Sequence, residues 1–194
     1  MPSRFVVRPF QPEDEQQADA LWKLPVYRPE DQANVVAMYQ RARQAQEAGD
    51  RWVPLPPRPL GDSPGTFVAF WVAEMRRRDG LNSIIGTIAV NPVAGELTFP
   101  TRVPEAVERR RRADVVILDR LRVADEAQRS GVGTRLCQTA AYWCRRHGYR
   151  RLVLNTTTAQ IPALGLYRKI GFREAFHSFV GKYELVWFEL DLTE

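Results

Sequence analysis

The most constraining stretch is Val115-Val116-Ile117-Leu118-Asp119-Arg120-Leu121-Arg122-Val123, followed by Gln128-Arg129-Ser130-Gly131-Val132-Gly133 and an amphipathic run to His147. A β-rich run, a glycine turn and a 3.6-period stripe in succession predict a strand, a tight loop and a helix from about 132 to 147. Val132, Leu136, Cys137, Ala140 and Cys144 make the stripe, and Gly148 predicts its stop. A helix that starts directly on such a loop presents unpaired backbone N–H groups at its positive dipole end, so the unit predicts a phosphate cradle. Gly131 and Gly133 would let the main chain approach the ligand, and Arg129 would add a mobile positive charge.

Two familiar phosphate loops fail on spacing. A P-loop ends in Gly-Lys-Ser/Thr, whereas Gly133 is followed by Thr134-Arg135. A dinucleotide fingerprint needs a third glycine where this chain has Leu136, and it opens its fold instead of lying two-thirds of the way along. In contrast, Gln128-x-x-Gly131-x-Gly133 after Leu118-x-Arg120-Leu121-x-Val123 resembles the acetyl-CoA motif of the GNAT (GCN5-related N-acetyltransferase) superfamily. A second segment, Gln160-Ile161-Pro162-Ala163-Leu164-Gly165-Leu166-Tyr167-Arg168-Lys169-Ile170-Gly171-Phe172, resembles that family's Asn/Gln-x-x-Ala-x-x-x-Tyr-x-x-x-Gly-Phe stretch. The likeness covers about residues 66 to 192 and is best from 115 to 173. Asn155-Thr156-Thr157-Thr158 is similar to a branch that includes cysteine-conjugate N-acetyltransferases.

The resemblance implies an enzyme that moves acetyl from acetyl-CoA to a primary amine of a small molecule or peptide, by direct attack in a ternary complex and without a metal. Carried over residue by residue, it implies that Gln128, Arg129, Ser130, Gly131, Val132, Gly133 and Thr134 hold the pyrophosphate, with Gln160 also on the cofactor side. Leu121 and Val123 would offer main-chain groups to the pantetheine arm, and an amide N–H near Val123 would polarise the thioester carbonyl. Tyr167 would protonate the departing thiolate, the competing reading being a tyrosine that caps the core. Relatives that acetylate protein N-termini place a glutamate where this chain has Asn155, and an amide cannot serve as base. Asp119 is the replacement candidate, against the reading of a salt bridge with a neighbouring arginine; Glu74 and His177 follow. The missing carboxylate also keeps open a catalytically weak CoA-binding sensor or scaffold.

The rest of the chain predicts a mixed α/β fold (α+β), with a mostly antiparallel six- to seven-stranded sheet flanked by about four helices in a single domain, 1–194. Strands are expected at 4–9, 66–75, 84–91, 114–123, 151–156, 172–180 and 183–192. The remaining helices are expected from Pro12 to about Leu24, over 32–48 and over 161–170. Val35, Val36, Tyr39 and Ala42 would form the buried face of the second of these, with Pro25 to Asp31 a short loop before it. The proline-rich 54–65 segment reads as an irregular connector. Trp22, Tyr27, Phe176 and Phe179 would wall the acceptor side.

A net charge of +5 calls for an anionic partner but does not choose one. Arg109-Arg110-Arg111-Arg112 has no interleaved aromatics and reads as a solvated loop, which argues against nucleic acid as the partner. Cys137 and Cys144 fall about 10 Å apart on one helix, too far for a disulfide, and read as small buried fillers. With only two histidines there is no zinc constellation. No apolar run is long enough to span a bilayer and no leader is apparent, so cytoplasmic residence is expected. The closing strand could pair between subunits of a homodimer.

Overall fold

A computed structural model describes residues 5–49, 67–76, 80–92 and 114–193. Seven strands, β1 (Phe5–Pro9), β2 (Ala69–Arg76), β3 (Asn82–Pro92), β4 (Val115–Val123), β5 (Arg151–Thr157), β6 (Arg173–Val180) and β7 (Tyr183–Asp191), form one sheet in the order β1-β2-β3-β4-β5-β7-β6. Every neighbouring pair is antiparallel except β4–β5. Four helices accompany it among the described residues: α1 (Glu15–Trp22), α2 (Gln32–Glu47), α3 (Val132–Arg146) and α4 (Ile161–Ile170). The proline-rich connector and Arg109 to Arg112 lie outside the described residues.

Burial explains where these elements sit. Among the described residues the stripe of α3 is the most deeply placed helix face, with Leu136, Cys137, Ala140 and Cys144 fully buried. Val72, Ile88, Val90, Val116, Leu152, Leu154 and Phe188 supply the sheet side of that core. Both cysteines are free and behave as apolar fillers, burial pushing each thiol up to about 12. Gly148 at φ +80° follows α3, whose C-terminal carbonyls receive the N–H groups of His147 and Gly148. On α1, Ala18 and Leu21 are buried as its spacing requires. On α2 the expected face is rotated: Met38 and Ala42 are buried while Val36 is exposed. Positions 35, 38 and 42 are one helical face, and Val36 lies about 100° from Val35.

Arg8 ties the first strand to the first helix and to β2. Its guanidinium donates to Asp14 at 2.7 and 2.8 Å and to Glu74 at 2.8 Å. Burial alone would raise the Asp14 carboxyl, but Arg8 and the Gln11 backbone N–H more than offset it, so it sits below the usual carboxylate range. The Arg8 hydrogen bond lowers Glu74 as well. Two carboxylates depressed on folding contribute stability that is present above about pH 4 and lost as pH falls through their folded values. Arg8→Met leaves the Asp14 carboxylate buried without its cation and is expected to cost about 2 kcal/mol at pH 7. Urea midpoints at pH 7 and pH 3 check this; the gap between variant and wild type should shrink at the lower pH.

Candidate active site

The parallel junction at the centre of the sheet is short. β4 and β5 pair only at Val115, Val116 and Ile117 with Arg151, Leu152 and Val153. Beyond that point each strand keeps its other neighbour: β4 stays with β3 to Val123, and β5 stays with β7 to Thr157. The two strands therefore diverge, and a cleft opens at the carboxyl end of the sheet. A bulge in β4 accompanies the divergence. Thr87 lies opposite Arg122 and Ala89 opposite Asp119, so Arg120 and Leu121 together face Ile88. Arg120 takes φ +55°, a left-handed backbone for a side-chain-bearing residue.

The bulge and the ladder fix which peptide groups look into the cleft. Ala124 N–H donates to Ile85 of β3 at 2.9 Å. Backbone groups along a strand alternate sides, so Val123 points the other way, into the opening left by β5. The Arg120 carbonyl accepts from the Thr87 hydroxyl at 2.8 Å on the β3 side, so across the trans peptide the Leu121 N–H also faces the cleft. Leu121 and Val123 thus turn N–H groups to that side, while the Val123 carbonyl already accepts from the Gln128 side chain.

At the end of β4 the chain makes a short turn, Asp125–Ala127, and enters α3. Gly131 is the N-cap with φ +90°, a Cβ placed on it would meet nothing within 4 Å, and no side chain caps the helix. The first helical bond runs from Arg135 N–H to Gly131, so the N–H groups of Val132, Gly133 and Thr134 have no partner within the helix. Arg129, at φ +59°, and Ser130 are exposed beside them, the serine hydroxyl donating to the Ala127 carbonyl. These features fit an anion at the helix terminus.

Two residues of this loop have a different part from the one their types suggest. Gln128 donates its side-chain amide to the Val123 carbonyl at 3.2 Å and to Asp125 at 2.9 Å, which braces the loop against β4. At Gly133 an added Cβ would lie 3.1 Å from Leu166 of α4 and 3.7 Å from Val123, so the missing side chain admits a neighbouring helix and strand. Gln160 begins α4, and its side-chain oxygen accepts from Thr156 at the end of β5.

Tyr167 is buried among Phe172 and Phe188, and its hydroxyl has no hydrogen-bond partner among the described residues. Burial, with smaller contributions from Cys137 and Asp119, pushes its pKa well above the ordinary tyrosine value. Asp119 is exposed; its Oδ1 accepts the Arg120 N–H at 2.6 Å, and its Oδ2 lies 4.0 Å from the Arg120 Nε. The neighbouring-arginine pairing left open by the sequence is therefore present. Asn155 is half-buried opposite Trp187. Glu74 is engaged by Arg8 on the far half of the sheet, and exposed His177 on edge strand β6 holds Glu184 at 2.9 Å.

The segment between α1 and α2 crosses the mouth of the cleft. The Tyr27 hydroxyl donates to Thr157 at the end of β5 at 2.8 Å, and Arg28 donates to Asp125 at the end of β4 at 2.7 Å. Beside it, buried Glu184 accepts from Arg41 of α2 at 2.6 Å and from Thr158 at 3.0 Å. Sequence reasoning placed the loop but missed these ties, because partners 26 to 143 residues apart leave no local signal. Of the expected aromatic wall, Trp22 stacks with Arg120 and Phe176 stacks with Trp187.

Comparisons with known proteins agree with this geometry. The acetyltransferase (GNAT) family matches residues 29–172. N-acetyltransferase family 8 member 3 of Rattus norvegicus is 31% identical over 131 residues, 63% of this chain and 50% of the relative. The chain spans about half or less of the length of the curated relatives it matches. An N-acetyltransferase from Staphylococcus aureus Mu50 has a TM-score of 0.58 at 17% identity, covering 98% of this chain and 100% of that one. A GNAT family acetyltransferase from Brucella melitensis, solved in complex with acetyl-CoA, has a TM-score of 0.55 at 18% identity, covering 99% and 90%. These structures share the fold; the N-acetyltransferase 8 relatives meet the likeness to the branch containing cysteine-conjugate enzymes.

Proposed function

The chain belongs to the acetyltransferase (GNAT) family, and from that premise we propose that it transfers acetyl from acetyl-CoA to a primary amine of a small molecule or peptide. The observation that carries the reading is the juxtaposition of an uncapped α3 terminus with a cleft into which Leu121 and Val123 turn their peptide groups. The N–H groups of Ser130 to Thr134, with Arg129 alongside, hold the pyrophosphate. Gln128 braces that loop, and Gln160 steadies the other wall of the cleft. The Leu121 and Val123 main chain pairs with the pantetheine arm as a strand would and aims N–H groups at the thioester oxygen.

The acceptor enters past the Tyr27 and Arg28 strap. Its nitrogen forms a bond to the thioester carbon while the C–S bond breaks. The nitrogen releases a proton to solvent or to a base, and Tyr167 gives its proton to the sulfur. Asp119 is the carboxylate candidate for that base, although its oxygen is already used by the bulge. We read residues 1–194 as a single domain, with β6 an edge available for pairing with a second copy.

Free thiol release from acetyl-CoA against a panel of primary amines tests the proposal. Turnover above hydrolysis with at least one amine is the expected result. CoA binding with no amine-dependent thiol release would favour the sensor alternative, which the amide at Asn155 motivates.

A further inference from the structure

Arg120 is held in its left-handed backbone from both of its peptide groups, and both holders are side chains. A non-glycine residue in this region is disfavoured by roughly 1–2 kcal/mol and persists only where its surroundings fix it. The bulge removes Arg120 from the ladder with β3, so its N–H and C=O need other partners. The Asp119 carboxylate takes the N–H at 2.6 Å, and the Thr87 hydroxyl donates to the carbonyl at 2.8 Å.

Thr87 is itself fully buried in the middle of β3, where an unpartnered hydroxyl would be costly. Its remaining capacity is filled from α1: Trp22 Nε1–H donates to Thr87 Oγ1 at 3.0 Å. The same indole lies 4.5 Å from the Arg120 guanidinium, stacking over it. One chain of contacts therefore runs from Trp22 through Thr87 to the Arg120 carbonyl. Because that carbonyl and the Leu121 N–H are the two ends of one planar trans peptide, fixing the first toward β3 aims the second into the cleft.

We propose that Thr87, oriented by Trp22, is a positioning residue for acyl transfer: it sets the Arg120–Leu121 peptide so that the Leu121 N–H points at the developing charge on the thioester oxygen. This inference rests on the acyl-transfer reading. It also gives Asp119 a second part, as the clamp on the other side of the same residue. Thr87 acts without touching the substrate, and its influence is confined to the aim of one donor. Losing that aim impairs the chemical step, whereas the pyrophosphate cradle on α3 stays intact.

Three variants and two readouts test it. Thr87→Val keeps the shape and removes the hydroxyl; Thr87→Ser restores it; Trp22→Phe removes the indole donor while keeping an aromatic ring beside Arg120. With an amine identified by thiol release, Thr87→Val should lower kcat by about 30-fold, less than the roughly 100- to 1000-fold cost of deleting an oxyanion donor, because the Leu121 N–H is misaimed and not removed. CoA affinity should stay within threefold, and Thr87→Ser should return kcat to within threefold of wild type. Trp22→Phe should fall between the two. Backbone amide exchange gives an independent reading: the Arg120 N–H, held by the Asp119 carboxylate across the same bulge, should exchange at least tenfold faster in Thr87→Val, with the α3 amides unchanged. A Thr87→Val enzyme with kcat within twofold of wild type overturns the proposal. So does exchange that rises evenly over the sheet with Thr87→Ser equally impaired, since that is the behaviour of a merely structural residue. If the wild type transfers acetyl to no amine, the acyl-transfer reading fails. Exchange confined to the bulge then still upholds Thr87 as its holder, and unchanged exchange there overturns it.

Discussion

Replacing Gly131 by aspartate is expected to lower acetyl-CoA affinity by about 100-fold. The site has room for a side chain, since nothing lies within 4 Å of an added Cβ, so the effect does not come from a clash inside the protein. It has two physical sources. The residue sits at φ +90°, which any side chain disfavours, and aspartate tolerates the left-handed region better than most, so the folding cost should stay near 1 kcal/mol. The larger source is charge. A carboxylate about 5 Å from a pyrophosphate charge costs roughly 3 kcal/mol at an effective dielectric near 20, which is about two decades in affinity. Calorimetric titration with CoA measures it, and Gly131→Asn separates charge from bulk because the amide has the same shape. An aspartate variant that binds CoA within threefold of wild type would rule out the α3 terminus as the cradle.

Tyr167→Phe should reduce kcat by about 100-fold while leaving CoA affinity and the thermal midpoint unchanged. General acids contribute on this order when the leaving group needs a proton. The hydroxyl has no hydrogen bond among the described residues, so removing it breaks no bond of the fold. Burial raises the phenol's pKa above its ordinary value near 10, so it stays protonated throughout the neutral range. The wild-type kcat profile should therefore show no falling limb from this group below about pH 10. A phenylalanine enzyme within twofold of wild-type kcat would leave Tyr167 with only its packing against Phe172 and Phe188.

How much of this was legible without coordinates depends on the range over which each feature is decided. The α3 stripe, the glycine turn before it and the stop at Gly148 are written within a few residues of one another, and periodicity and capping chemistry read them directly. The α2 face was displaced toward Val36 because its apolar residues are sparse and Val35 and Val36 are adjacent, so spacing alone did not decide which of them packs. Residue type did not announce the packing part of Gly133, whose missing side chain admits Leu166 and Val123. Nor did it announce that the Gln128 amide braces the loop.

Asp119 marks the boundary most clearly. As a carboxylate in an apolar strand it reads as a base, and only the paired register shows that it clamps a left-handed Arg120. Thr87 gave no signal at all in the sequence, being one hydroxyl in a β-rich run. The sequence by itself determined the elements, the order of strand, loop and helix, and the uncapped glycine start of α3, because dihedral preference, hydrophobic period and capping act locally. The tertiary structure alone decided where β4 and β5 part, which peptide groups face the opening and that Tyr27 and Arg28 strap it, because those depend on strand register and on contacts between residues far apart in the chain.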